Sequence, residues 1–168
     1  LLNTTGASNT ALGKDALRAN TTGNSNTAIG IDALTENTTG LENVALGINS
    51  LDANSTGNYN TGIGSYTLGS NTTANYNVAV GYNALNFNTT GTQNVAVGAV
   101  SVDANTTGAR LTGVGYGALS SSTTATDCTA VGRLALTSNT TGNFNVGVGS
   151  RALEDSTTGA LNTAVGHI

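Results

Sequence analysis

Two adjacent carboxylates, one thiol, one imidazole and two glycine-rich strings are the parts of this sequence equipped for chemistry. Glu154 and Asp155 form its one adjacent acidic pair. General acid–base catalysis needs such groups to converge on a pocket with separated pKa values; neighbours at a chain corner more readily form a solvated edge. Cys128 and His167 are the single Cys and the single His. Neither has nearby the base or ligand set that nucleophilic or metal chemistry requires. Gly113-Val114-Gly115-Tyr116-Gly117-Ala118 and Gly147-Val148-Gly149-Ser150-Arg151-Ala152 fit a loose G-x-G-x-x-A dinucleotide pattern, which functions only where a strand runs into a helix. Eight Asn-x-Ser/Thr sequons run from Asn3 to Asn139. Glycans on all of them would crowd if they stood on adjacent rungs of a stack. No catalytic residue, cofactor or metal is expected from these groups, and the chain is not expected to be an enzyme.

Each of these strings sits at a fixed place in one repeat. Asn3-Thr4-Thr5-Gly6 returns at Asn20, Asn37, Asn88, Asn105 and Asn139, with variants in register at Asn54, Asn71, Ser122 and Ser156. The period is 17 residues without insertion or deletion, giving ten units. Numbered from that Asn, the unit reads N-T-T-G-x-x-N-[TV]-A-[VLI]-G-x-x-A-L-x-x. Position 3 is Thr in all ten units, from Thr5 to Thr158, and position 11 is Gly in all ten, from Gly13 to Gly166. Every charged residue falls at position 6, 12, 13, 16 or 17. The two dinucleotide-like strings arise because Gly replaces Ala at position 9.

Composition narrows the class. Only 8% of residues are charged and 4% aromatic, Pro, Met and Trp are absent, and the net charge is −4. Self-repelling disorder needs more charge than this, and β-branched Thr and Val without Pro suit stacked strands. Five Lys plus Arg scattered over 168 residues cannot form the basic stripe that releases phosphate counterions, so no nucleic-acid partner is expected. No apolar run reaches the roughly 18 residues of a membrane span. A single repeat domain over residues 1–168 is expected, starting and ending in mid-repeat as an internal piece of a longer chain.

A 17-residue unit is too short for the roughly 30–45 residues of helical repeats. It suits one coil of an all-β parallel β-solenoid, or β-roll, of ten coils. Positions 7–10 then form a short strand, with positions 8 and 10 on one side and position 9 on the other. The pattern predicts position 10 and the Leu at 15 inside the coil. It predicts Thr at 3 and Asn at 1 and 7 as ladders that hydrogen-bond from rung to rung every ~4.8 Å. Position 9 admits only Ala or Gly: Ala11, Ala28, Ala45, Gly62, Ala79, Ala96, Gly113, Ala130, Gly147 and Ala164. A size limit of this kind marks close backbone approach, so these ten, with the small residues at 14, are candidate subunit contacts. An interior of about two aliphatic side chains per coil is thin against the ordering cost of about 1.5 kcal/mol per residue. Association into a homotrimer is expected to supply the missing burial.

The string Asn-Thr-Ala-[Val/Ile]-Gly-x-x-Ala-Leu-x-x-Asn-Thr-Thr-Gly, as at Asn26–Gly40, resembles repeats of bacteriophage tail-fibre proteins and related bacterial surface proteins. Asn77-Val78-Ala79-Val80-Gly81 is similar to the core of the head repeats in trimeric, YadA-like autotransporter adhesins. The resemblance implies a left-handed parallel β-roll, three chains side by side, and an extracellular place on a virion tail or cell surface. The 17-residue unit is longer than the adhesin one by its Asn-Thr-Thr-Gly corner.

The expected function is a structural or adhesive segment of an extracellular trimeric fibre that projects toward a host receptor. Exposed aromatics at variable positions (Tyr59, Tyr76, Phe144, Tyr82 and Tyr116) are candidate contacts for a receptor or glycan. They serve equally well as cover for corners or seams. Two other classes remain: a filament stacking end to end through unpaired coils, and an ice-binding solenoid using the Thr ladder. Adjacent Thr-Thr, read as a strand, would turn only one ladder toward ice.

Overall fold

The computed structural model describes residues 3–167. Ten three-residue strands, from β1 (Thr10–Leu12), β2 (Thr27–Ile29) and β3 (Val44–Leu46) to β10 (Thr163–Val165), line up in sequence order in one parallel sheet. Thr10 lies beside Thr27, Ala11 beside Ala28 and Leu12 beside Ile29, and the same offset persists to Val146 beside Thr163. The fold is an all-β parallel solenoid with no helix among the described residues. Coil 1 begins at Asn3 and coil 10 at Ser156.

Handed backbone geometry closes each coil. Positions 6, 13 and 15 adopt left-handed conformations although they are rarely Gly; in coil 3 these are Glu42, Asn49 and Leu51, with φ of 55°, 54° and 53°. Such a conformation costs an L-residue about 1–2 kcal/mol. In return, peptide groups point along the stack and pair with the next coil. Leu17 N–H donates to the Ala33 carbonyl at 2.9 Å, and Ala19 N–H to that of Thr35 at 3.0 Å. At the Asn-Thr-Thr-Gly corner the N–H groups of Thr4, Thr5 and Gly6 all point at the Thr21 carbonyl, at 3.0, 3.1 and 3.2 Å.

The interior differs from the expected one in the parity of the strand. Position 10 faces outward: Leu12, Leu46 and Ile63 are 68%, 42% and 38% exposed. Position 9 faces inward instead. Ala28, Ala45, Ala79, Ala96 and Ala130 are fully enclosed, as are Gly62, Gly113 and Gly147. Ala11 and Ala164 hold the same rank in the terminal coils and are less covered. In the eight interior coils this rank therefore has no surface to offer a second chain, and the subunit seam expected at position 9 is not available there. Position 14 is likewise enclosed (Ala16, Ala33, Ser50, Thr67, Ala84).

The physical reason is the narrowness of the coil. Ranks 14 and 15 stand across from the strand and leave room for a methyl group at most. A Cβ added to Gly62 would meet Ser50 Oγ at 2.6 Å and Thr67 Oγ1 at 2.8 Å, so Gly62 leaves room for the two hydroxyls that face it. Gly62→Ala is expected to cost about 1–3 kcal/mol by overpacking. Adding Ser50→Ala and Thr67→Ala should recover most of it, as read from urea midpoints.

What fills the remainder is polar. Asn residues at positions 1 and 7, among them Asn20, Asn37, Asn54, Asn26, Asn43 and Asn60, are fully buried beside the Leu rank. At position 1 each Nδ2 donates to the Oδ1 one coil back: Asn37 to Asn20 at 2.9 Å, Asn54 to Asn37 at 3.0 Å, Asn71 to Asn54 at 2.8 Å. Each also donates within its own corner, as Asn37 does to the Gly40 carbonyl at 3.1 Å. At position 7 the Oδ1 receives the next coil's backbone, Asn43 N–H to Asn26 Oδ1 at 3.0 Å, while Nδ2 donates to a corner carbonyl, Asn43 to Gly57 at 2.8 Å. Buried amides are tolerated because donors and acceptors are matched along the stack. The Asn ladders expected from the repeat are thus present, as core rather than as surface corners.

Candidate functional surface

The outward face of the sheet runs through all ten strands. Position 8 presents Thr or Val (Thr27, Val44, Thr61, Val78) and position 10 an aliphatic residue (Ile29, Leu46, Ile63, Val80) in every coil. These side chains are half-buried or exposed, yet neither rank carries a charge in any of the ten coils. Other exposed positions vary and accept charge; position 12 runs through Lys14, Ile31, Tyr82 and Arg133, while the corner Thr at position 3 is held constant. A long uncharged β-branched face is the surface type that marks an interaction site. The signal was present in the charge distribution, where absence of charge at 8 and 10 suggested interior. Only the direction of the pleat separates an inner face from an interface.

The corner threonines also depart from expectation. Positions 2 and 3 form a bend outside any strand, so strand alternation does not govern them. The position-2 hydroxyl is the one bonded along the stack: Thr21 Oγ1 donates to the Thr38 carbonyl at 3.0 Å, and Thr38 Oγ1 to that of Ser55 at 3.0 Å. The invariant Thr at position 3 is exposed in all ten coils, from Thr5 to Thr158. Its hydroxyl has no hydrogen bond within the described residues, so the expected rung-to-rung bonding at this rank is not what occurs.

The candidate contact aromatics fall on two ranks flanking the strand. Tyr59, Tyr76 and Phe144 are at position 6, and Tyr82 and Tyr116 at position 12; all are exposed. Tyr59 and Tyr76 stack in consecutive coils with ring centroids 5.0 Å apart and planes within 3°. Tyr82 meets Tyr66 edge to face at 6.1 Å. The five are not gathered into one site. In the Tyr59–Tyr76 pair each ring covers one face of the other, which reduces the face left for a sugar ring.

The chemical candidates are not brought together either. Glu154 pairs with Arg151 at 3.5 Å beside exposed Asp155, and His167 is exposed. Cys128 is buried and its thiol contacts the Gly142 carbonyl at 3.2 Å; burial pushes its pKa up. Neither Gly113 nor Gly147 opens a helix. Among the described residues there is no cavity and no group of three potential metal ligands. The sequon asparagines from Asn20 to Asn139 are fully enclosed, their Nδ2 atoms spent on ladder and corner bonds, so the folded chain presents no accessible acceptor there.

Two carboxylates at position 16 respond to the fold. Burial raises the pKa of Asp52 above its ordinary 3.8, with an opposing hydrogen bond from Asn49 and a small further push from Asp32. Burial raises Asp103 in the same direction. A carboxyl that holds its proton more tightly when folded adds stability below the unfolded pKa, and that contribution is lost as pH rises through the folded pKa. Asp52→Asn is therefore expected to raise the urea midpoint at neutral pH. The advantage should shrink to nothing as pH falls below about 3.8. Equal midpoints of the two proteins at neutral pH would refute this.

No described helix is long and apolar enough to cross a membrane. No family model, curated protein or solved structure matches the chain, so the geometry of these surfaces carries the functional reading.

Proposed function

We propose that this chain is a structural segment of an extracellular homotrimeric fibre, of the kind found in phage tail fibres and trimeric surface adhesins. The observation that carries it is the sheet face of ranks 8 and 10, outward-facing, half-buried to exposed, uncharged and continuous over ten coils. Its burial against two further copies supplies the apolar contact that a core of one Leu and two small residues per coil lacks. The mechanism is mechanical. The continuous backbone ladder and the runs of buried Asn ladder resist bending, and variable positions 6 and 12 along the flanks carry receptor or glycan contacts such as Tyr76 and Tyr116.

Light scattering coupled to size exclusion tests this. The wild-type chain should give the mass of three copies. Val97→Lys with Val131→Lys should give folded monomers, because each places a charge in the seam. A folded wild-type monomer would sink the proposal, as would an unchanged trimer in the double variant.

The corner threonines favour one alternative. Ten exposed hydroxyls at coil spacing suit an ice surface, and the bend removes the alternation objection to neighbouring Thr ranks. Thermal hysteresis lost on Thr73→Asp and Thr90→Asp would establish it; absence of hysteresis in the wild type would dismiss it.

A further inference from the structure

In the interior of the stack both Asn ladders are interrupted at the same place. Position 7 is Leu111 in coil 7 and Cys128 in coil 8, and position 1 is Ser122 in coil 8. The position-1 ladder runs unbroken from Asn3 to Asn105, ending with Asn105 Nδ2 donating to Asn88 Oδ1 at 2.7 Å. Beyond that the buried Asn105 Oδ1 and Ser122 Oγ have no hydrogen-bond partner. The position-7 ladder ends where Leu111 N–H donates to Asn94 Oδ1 at 2.9 Å. It resumes only through a long contact of Asn145 N–H with Cys128 Sγ at 3.5 Å. Between coils 7 and 8, therefore, neither buried amide rank contributes a rung.

A surface ion pair crosses that same junction. Arg110 in coil 7 bonds Asp127 in coil 8 twice, Nε to Oδ1 at 2.7 Å and Nη2 to Oδ2 at 2.9 Å. It is the one doubly bonded ion pair among the described residues. Backbone pairing continues across the junction, as in Thr106 N–H to the Thr123 carbonyl at 2.9 Å and Leu119 N–H to that of Ala135 at 3.0 Å.

We propose that the junction between coils 7 and 8 is a built-in joint where the rod opens first. A solvent-facing, salt-sensitive clasp there replaces the buried amide ladders that lock coils 1–7 to one another, whereas coils 8 and 9 keep the Cys128 thiol contact. Opening of one coil pair leaves the blocks on either side intact, because each coil contacts only its neighbours. Bending or partial unfolding under load is thereby confined to one place. The proposal does not depend on trimer formation, since the corner amides that report it lie away from the sheet face.

Native-state hydrogen exchange on the full chain tests it at equivalent amides. Thr106, Thr107 and Leu119 should exchange roughly tenfold or more faster than Thr38, Thr39 and Leu51 of coil 3, as expected for a separately opening unit. Arg110→Ala, or raised ionic strength, should accelerate exchange at the junction and leave coil 3 unchanged. Ser122→Asn, which returns an amide to the rank between Asn105 and Asn139, should slow it. Uniform exchange through coils 3–8, or fastest interior opening elsewhere, would overturn the joint. If Ser122→Asn does not fold, the wild-type profile and its salt dependence decide.

Discussion

Gly98→Ala is expected to be among the most damaging single changes, costing about 4 kcal/mol from left-handed strain and backbone overlap together. Gly98 has a φ of +133°, where L side chains are rarely found, and an added Cβ would stand 2.5 Å from the Gly115 oxygen and 2.6 Å from its carbon. The clashing atoms are backbone held in the ladder, so no side chain can turn aside. Gly166 supplies an internal control. Its φ is +136°, nearly the same, but none of the described residues lies within 4 Å of an added Cβ. Gly166→Ala should show the conformational part alone, about 1–3 kcal/mol, and the difference between the two urea curves isolates the stacking clash. Equal losses would mean that stacking at this corner contributes nothing to the invariance of Gly.

Removing one rung of a buried amide ladder should be nearly as costly. Asn71→Ala deletes a donation to Asn54 Oδ1 at 2.8 Å, one to the Ala74 carbonyl at 3.2 Å, and the acceptor that Asn88 Nδ2 uses at 3.1 Å. An acceptor above and a donor below lose partners without gaining water, each at about 1–3 kcal/mol. A loss of about 3–5 kcal/mol in unfolding free energy is expected, read from chemical denaturation. Asn86→Ala, at half-buried position 16, should change stability by less than about 0.5 kcal/mol. A small effect at Asn71 would show that the amide ladder serves register alone.

The two changes also show how far the chain's own repetition reaches. Ten in-register copies fix the 17-residue coil, the parallel stacking, the Gly corner and the existence of Asn ladders. A residue that recurs every coil can pair only with itself one rung away. Charges confined to positions 6, 12, 13, 16 and 17 set ranks 8 and 10 apart from the charged positions of the coil. Alternation shows that 8 and 10 share a face opposite 9.

Alternation does not say which face is inside, and here the tertiary structure decided. Left-handed residues at 13 and 15 bring ranks 14 and 15 so close to the strand that a methyl group alone fits between them. Ala45 and Gly62 thus went in, while Leu46 and Ile63 came out. The same closeness made buried Asn side chains the core filling in place of a second aliphatic rank. The bend at Thr-Thr, invisible to a strand-period argument, set which hydroxyl bonds along the stack and which faces water. Sequence periodicity therefore determined the axis, the period and the Asn ladders; inside and outside were settled by how tightly one coil curls.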